Sequence, residues 1–488
     1  MWGMAKETEG ARRPRRGEER FAAYLDAIVA AMPHRRRAAA ARAYCTGLLL
    51  PGERKSVEPM AARLDPARVS GLHQALHHFV AAAPWSDAAV LAAVREQVLP
   101  ALTRHGPVAA WIIDDTAFPK KGKHSVGVAR QYCGQLGKQE NCQVAVSLSV
   151  ANEHASLPVA FELYLPEDWA GDPARRAKAG VPEEVVFRTK PAIALQQIHR
   201  ALADGVPPGV VLGDAGYGID TEFRTALTAL ALPYVLGVQS TVGVWPPGRG
   251  PLPPKSWSGR GRPPKLRRRD AGHQPLAAKD LASALPPSAW RTVGWREGSR
   301  GELSGRFAAV RVRPSHRDYW RAEAHPEEWL LVEWPEAKGE PTRYWLSTLA
   351  GTVTLGELVA TAKLRWRIER DYQELKQELG LDHYEGRGWR GFHHHATLCI
   401  AAYGFLVRER GLFPPQVRFR ARAPALPSGW RPRGRPGPSR ERHEPRSIAS
   451  VRRLLAIALA RRLPRCPCCQ LPVRPSVPIP QTSPFITQ

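Results

Sequence analysis

The chain is short of acids, of cysteines and of long apolar runs, and each shortage excludes something. Its 488 residues carry 45 Asp and Glu against 71 Lys and Arg, a formal net charge of +26 and a pI near 10.3. So large an imbalance is not incidental. It sets up a field that gathers polyanions, nucleic acid first and an anionic membrane surface second. Every apolar run is short or broken by charge, so no membrane-spanning helix is expected. Charged residues fill the N-terminal stretch where a secretory signal needs an apolar segment, and a cytoplasmic, nucleoid-associated protein is expected. The seven cysteines are odd in number and scattered except near the C-terminus, which fits a reducing compartment better than a disulfide framework.

The length allows two to four domains. Residues 1–19 read as a basic disordered arm. Residues 20–104 are Ala- and Leu-rich with helical spacing, in segments near 21–31, 36–49, 57–63, 68–83 and 87–102, and predict an all-helical domain for DNA binding or dimerisation. From 105 the pattern turns to short apolar strands: Val108-Ala-Ala-Trp-Ile-Ile113, Cys142–Val150, Leu157–Tyr164, Val210–Leu212 and Tyr234–Val238. Helices are expected at 191–203 and near 220–230. Residues 105–238 thus form the first part of an α/β core, and 239–342 read as a mainly β insertion. Residues 343–410 return to the core, and 411–488 form a basic Pro- and Arg-rich tail with one helix, Ile448–Arg462.

Three carboxylates stand out in this order. Val108–Ile113 runs into Asp114-Asp115-Thr116, and Val210–Leu212 runs into Gly213-Asp214-Ala215-Gly216-Tyr217-Gly218. The third lies in Arg365–Lys376, a stretch of helix formers in which Glu369, Tyr372, Gln373 and Lys376 share one face. Two strand-end acids and one helical acid suit a pair of hard Mg²⁺ or Mn²⁺ ions acting on a phosphodiester. Asp115, Asp214 and Glu369 are the expected ligands, with Asp114 as the alternative first acid. Lys120, Lys121, Arg130, Arg365 and Lys376 would hold phosphates beside them.

The order strand(Asp)–strand–strand–helix–strand(Asp)–helix–strand, closed by the Glu369 helix, resembles a ribonuclease-H-like mixed-sheet catalytic core. The motifs together resemble the DDE transposases of bacterial insertion sequences, in the group with a β-rich insertion before the final glutamate. The group's signature Tyr-x2-Arg-x3-Glu-x6-Lys is matched by Arg365, Glu369 and Lys376, with Ala362 in place of the tyrosine. Asp115-Thr116, Asp214 with its Ala-Gly-Tyr-Gly, and Lys120–Val128 add to the resemblance, which covers roughly residues 20–410. It implies cut-and-paste transposition: metal-dependent hydrolysis at terminal inverted repeats of double-stranded DNA, strand transfer into target DNA, and a homodimer on DNA. It also implies a flipped base stacked on an aromatic residue near the insertion, where Trp245, Trp257, Trp290, Trp295, Trp320, Trp329, Trp334 and Trp345 lie. The alternatives are an inactive DNA-binding descendant and a ribonuclease-H-like nuclease without strand transfer.

Secondary signals are weaker. Arg260-Gly261-Arg262-Pro263 and Arg433-Gly434-Arg435-Pro436 suit an A·T-rich minor groove or a solvated basic linker equally. Cys466-Pro467-Cys468-Cys469 offers half a zinc site without a second Cys/His pair. His393-His394-His395 are expected near DNA or solvent.

Overall fold

The structure, a computed structural model, describes residues 16–32, 34–298, 301–335, 338–413 and 447–464. The second Arg-Gly-Arg-Pro copy and Cys466, Cys468 and Cys469 lie outside these residues. The chain divides into two compact units. One comprises Met1–Ala101, Lys376–Tyr384 and Leu398–Gln488, the other Leu102–Leu375 and Glu385–Thr397.

The first unit opens with α1 (Gly17–Ala30), α2 (Arg35–Leu49), α3 (Val57–Leu64), α4 (Val69–Ala81) and α5 (Asp87–Leu102), each close to its expected place. Phe21, Tyr24, Leu25 and Ile28 recur at helical spacing and bury one face of α1. Phe21 and Tyr24 pack on Phe405 at ring distances of 4.9 and 5.4 Å. Residues 398–410, expected in the core, belong to this helical unit.

The second unit holds β1 (Ala110–Pro119), β2 (Ala129–Cys133), β3 (Lys138–Ala151) and β4 (Ser156–Leu163), then the short α6 (Glu167–Ala170) and α7 (Pro173–Ala179). Next come α8 (Lys190–Ala203), β5 (Val210–Gly213), α9 (Ala215–Gly218), α10 (Thr221–Ala229) and β6 (Tyr234–Val238). They are followed by β7 (Gly243–Trp245), β8 (Leu276–Ala277), α11 (Ala278–Ser283), β9 (Arg291–Gly298), β10 (Gly301–Pro314), β11 (Glu328–Trp334) and β12 (Arg343–Ser347). The series ends with α12 (Leu355–Lys363), then α13 (Trp366–Leu379) and α14 (Trp389–Leu412), which the unit boundaries divide, while α15 (Ile448–Ala460) belongs to the first unit. The described strands form one mixed sheet in the order β2-β3-β1-β5-β6-β12-β11-β10-β7-β8, with β4 also on β3 and β9 on β10. β1 is antiparallel to β3 and parallel to β5, which is parallel to β6.

Three features depart from the expectations. β1 runs past Ile113, because β3 keeps pairing with it from Ala110↔Ala151 to Pro119↔Cys142. The acids therefore lie inside that ladder and at the end of the β5 ladder only. β2 was unforeseen, since its basic text becomes a strand only by pairing with the start of β3. The β-rich stretch is no separate body: β12 pairs with β6 from Tyr344↔Val238 to Ser347↔Val235, so the strands after residue 290 prolong the same sheet. An unpaired edge on β6 would leave backbone donors and acceptors open, and β12 closes them.

The prolonged sheet also grips α12. Lys363 Nζ donates to both carboxylate oxygens of Glu333 at 2.7 Å, and lies 4.5, 5.3 and 5.5 Å from the ring centres of Trp295, Phe307 and Trp345. One side chain from each of β9, β10, β11 and β12 thus converges on a single ammonium. Lys363→Met should lower stability by about 2–3 kcal/mol, somewhat below the usual loss for a broken buried pair because Arg343 remains near Glu333. Denaturant unfolding checks this, and Lys363→Met with Glu333→Leu should recover most of the loss.

His393, His394 and His395 are buried, not solvent-facing. His393 Nδ1–H donates to the Trp389 carbonyl at 2.9 Å, and Nε2 accepts the Leu163 N–H at 3.2 Å. Burial lowers its pKa to about 4, against a lesser rise from the Trp389 bond. A depressed histidine contributes stability fully present above about pH 6.5 and lost as pH falls towards 4, on the order of 3 kcal/mol. Melting temperature should therefore drop over that window, and His393→Gln should flatten the drop.

Candidate active site

β1 and β5 run parallel with Ile112 opposite Leu212. Carried two residues further, the same register sets Asp114 beside Asp214. Ile112 and Leu212 share a core with Leu358, Ile368 and Tyr372, so this is the face of the sheet that α12 and α13 cover. Side chains alternate along a strand. Asp114 is therefore on the helix-covered face, and Asp115 is not: it accepts from Lys190, the first residue of α8. The expected Asp115 thus lies on the face away from α13, and the alternative acid, Asp114, on the face towards it.

A single guanidinium joins the strand to the helix. Arg365 Nη2 donates to Asp114 Oδ2 at 2.8 Å, and Nη1 donates to Glu369 Oε1 at 2.8 Å. The first contact spans 251 residues of chain and the second is a one-turn helical pair. Asp114 Oδ1 accepts the Asp115 N–H at 2.9 Å. Asp214 caps α9, its Oδ1 accepting the Gly216 N–H at 2.9 Å. Behind these groups the Tyr372 and Ser147 hydroxyls share a buried 2.8 Å hydrogen bond that pins α13 to β3.

Burial is the main force on Asp114, whose pKa rises to about 7. Arg365 pulls it down, and the charges of Asp214 and Asp115 push it up again. Arg365 shows the converse balance: burial disfavours its charge, but Asp114, Asp214 and Glu369 outweigh burial and hold it more firmly protonated than usual. Tyr217 and Tyr372 are raised well above the tyrosine range, first by burial and then by nearby acids, Asp115 ahead of Asp114 for Tyr217 and Asp114 for Tyr372, so both phenols stay neutral. Exposure differs sharply across the site: the Asp114 side chain is 9% exposed and that of Glu369 63%.

The donor set suits a hard cation, since it is oxygen-only and its carboxylates repel one another. Among the described residues no three His, Cys, Asp or Glu groups stand close enough to hold a metal as arranged. Glu369 is turned to Arg365 in this arrangement.

The basic residues divide by location. Asn141 Nδ2 donates to the carbonyls of Lys120 and Gly122 at 2.6 and 2.9 Å, which fixes the loop after β1 and leaves Lys121 exposed. Arg130 is exposed on β2. Lys376 follows Glu369 on α13 but falls in the helical unit. Arg260 and Arg262 are exposed in a loop bent by Gly259 and Gly261 at φ 83° and 73°, where Trp257 Nε1–H donates to the Gly261 carbonyl at 3.2 Å. Of the eight tryptophans named above, Trp257 and Trp320 are largely exposed, whereas Trp245, Trp290 and Trp345 are buried in the sheet region. Lys190 went unnoticed in the sequence: Thr189-Lys190-Pro191 signals only a helix start, and its partner Asp115 is 75 residues away.

The family profile of the DDE superfamily endonucleases matches residues 27–302. The probable transposase for insertion sequence element IS701 of Microchaete diplosiphon is 34% identical over 177 residues, 36% of this chain and 43% of that protein. The chain therefore matches less than half the length of that relative. The piggyBac transposase synaptic complex with hairpin DNA overlaps 93% of this chain and 74% of that chain at 10% identity and a TM-score of 0.37. An overlap that loose says nothing about shared chemistry.

The anchor of α13 is open to test. Ser147→Ala should cost about 1–2 kcal/mol by leaving the Tyr372 hydroxyl unpaired, and Tyr372→Phe a similar amount. Unfolding of the double variant should show a loss close to either single one, because both changes remove the same bond.

Proposed function

Because the chain belongs to the DDE superfamily endonucleases, we propose that it is a DNA transposase that moves an insertion sequence by cut-and-paste transposition. The observation that supports this most is the bridge from Asp114 through Arg365 to Glu369, with Asp214 near enough for its charge to act on both Asp114 and Arg365. We read the subset β4-β3-β1-β5-β6, an antiparallel meander followed by two parallel strands, as a ribonuclease-H-like core. In this reading β12 and the strands beyond it are the insertion characteristic of the resembled group.

Asp114, Asp214 and Glu369 would hold the divalent cation, Mg²⁺ or Mn²⁺, which when bound supplies an activated water and neutralises charge on the phosphodiester. Asp114 is held by its pairing with Ser147 of β3 and by its bonds from Arg365 and the Asp115 N–H, and Asp214 by capping α9. Glu369 is the adjustable member, exposed on the helix. Lys190, Lys120, Lys121 and Arg130 would hold the DNA backbone, and Arg260 and Arg262 would add contacts further out. Hydrolysis at a terminal inverted repeat breaks the P–O3′ bond and leaves a 3′-OH. That hydroxyl then attacks a phosphodiester of target DNA, with a target 3′-oxygen as leaving group. Two ends must be joined at one target, so the working form is a homodimer on double-stranded DNA.

The test is Mg²⁺-dependent cleavage of DNA carrying the flanking repeats. Asp114→Asn and Asp214→Asn should each slow cleavage about a thousandfold or more. Asp115→Asn should stay within about tenfold of the unaltered protein, since its carboxylate faces Lys190. Specific binding with no cleavage in Mg²⁺ or Mn²⁺ would refute the enzymatic reading, and cleavage without joined product would reduce it to a nuclease.

A further inference from the structure

We propose that Arg365 is the resident cation of the acid site: in the metal-free chain its guanidinium holds Asp114 and Glu369, and it must release them before a divalent cation can bind. This rests on the metal reading above and adds a competition to it. The guanidinium occupies, at 2.8 Å on each side, carboxylate oxygens that a cation would need. A fixed positive charge there both blocks those oxygens and repels a second cation. The clasp is also incomplete. Arg365 Nε is buried and meets no acceptor among the described residues, so the two carboxylates are what the side chain has to hold it. Its two ends are unlike. The Asp114 end is almost closed to solvent, whereas Glu369 is 63% exposed and can turn away without unpacking the core.

Release has a use. A planar fork freed from carboxylates is the group that best grips a phosphate by two parallel hydrogen bonds. Arg365 would then pass from pairing the acids to holding the DNA backbone beside them. Metal loading and phosphate binding become linked through one side chain, which also offsets part of the repulsion between Asp114 and Glu369.

The experiment is calorimetric titration of the full chain with Mn²⁺ in the absence of DNA, comparing the unaltered protein with Arg365→Gln, Arg365→Lys and Asp214→Asn. Removal of the competing charge should tighten Mn²⁺ binding by Arg365→Gln about tenfold, the ordinary size of a coupling between neighbouring sites. Arg365→Lys keeps the charge but not the fork, so it should fall between the two. In EDTA the Gln variant should melt lower than the unaltered protein, and saturating Mn²⁺ should raise its melting temperature by more. Equal or weaker Mn²⁺ binding by the Gln variant would overturn the competition while leaving the metal site standing. Should the Gln variant fail to fold, unchanged or weaker binding by Arg365→Lys would do the same. Absence of saturable binding to the unaltered protein, or binding that survives Asp214→Asn, would remove the metal reading itself and this inference with it.

Discussion

The site depends on one interaction, the bridge from Asp114 through Arg365 to Glu369. A carboxylate buried as deeply as Asp114, with Asp214 and Asp115 at hand, is unfavourable as an anion, and its pKa near 7 expresses that. The guanidinium offsets part of the penalty. In doing so it draws α13 onto the sheet over the ends of β1 and β5, beside the Ser147–Tyr372 hydrogen bond. The β1–β5 register, carried past Ile112 and Leu212, points Asp114 and Asp214 to neighbouring positions, and the bridge ties Glu369 to Asp114.

The stretch between β6 and α12 contributes through continuity. Because β12 pairs with β6, the strands β9 to β12 belong to the same sheet as the acids. Four of them direct one side chain each at Lys363, two residues before Arg365. The backbone between them is tight, with the Leu364 and Arg367 amides bonded to the Ala360 and Leu364 carbonyls. A long β-rich segment therefore acts on the acid-bearing helix by holding the end of the helix before it. Polar and aromatic contacts do this together, since the ammonium meets a carboxylate on one side and ring faces on the others.

Much of the fold was legible because it is written in local signals. The helices of the first unit follow from spacing and caps, as do α8 and α10, and the apolar runs at β3 to β6 announce strands by composition. What escaped was pairing. β2 and the full length of β1 exist because β3 is long enough to pair with both, and nothing in residues 118–132 says so. His393 looked like a polar surface residue, yet a packed helix buries it, and its two nitrogens find the Trp389 carbonyl and the Leu163 amide. Lys190 was invisible for the same reason, being brought to Asp115 by packing across the sheet.

The sequence by itself determined the charge and the order of most elements. Each of these is carried by composition or by spacing within a few residues. Between Asp114 and Asp115 its motifs favoured Asp115, but adjacent strand residues differ in the face they take, which no motif records. That face is set by the register with β5 and by which side α13 covers. Nor could it say that Arg365 would pair with both Asp114 and Glu369. Only the tertiary structure brings a helix guanidinium to a strand acid 251 residues away, where burial makes the contact worth keeping.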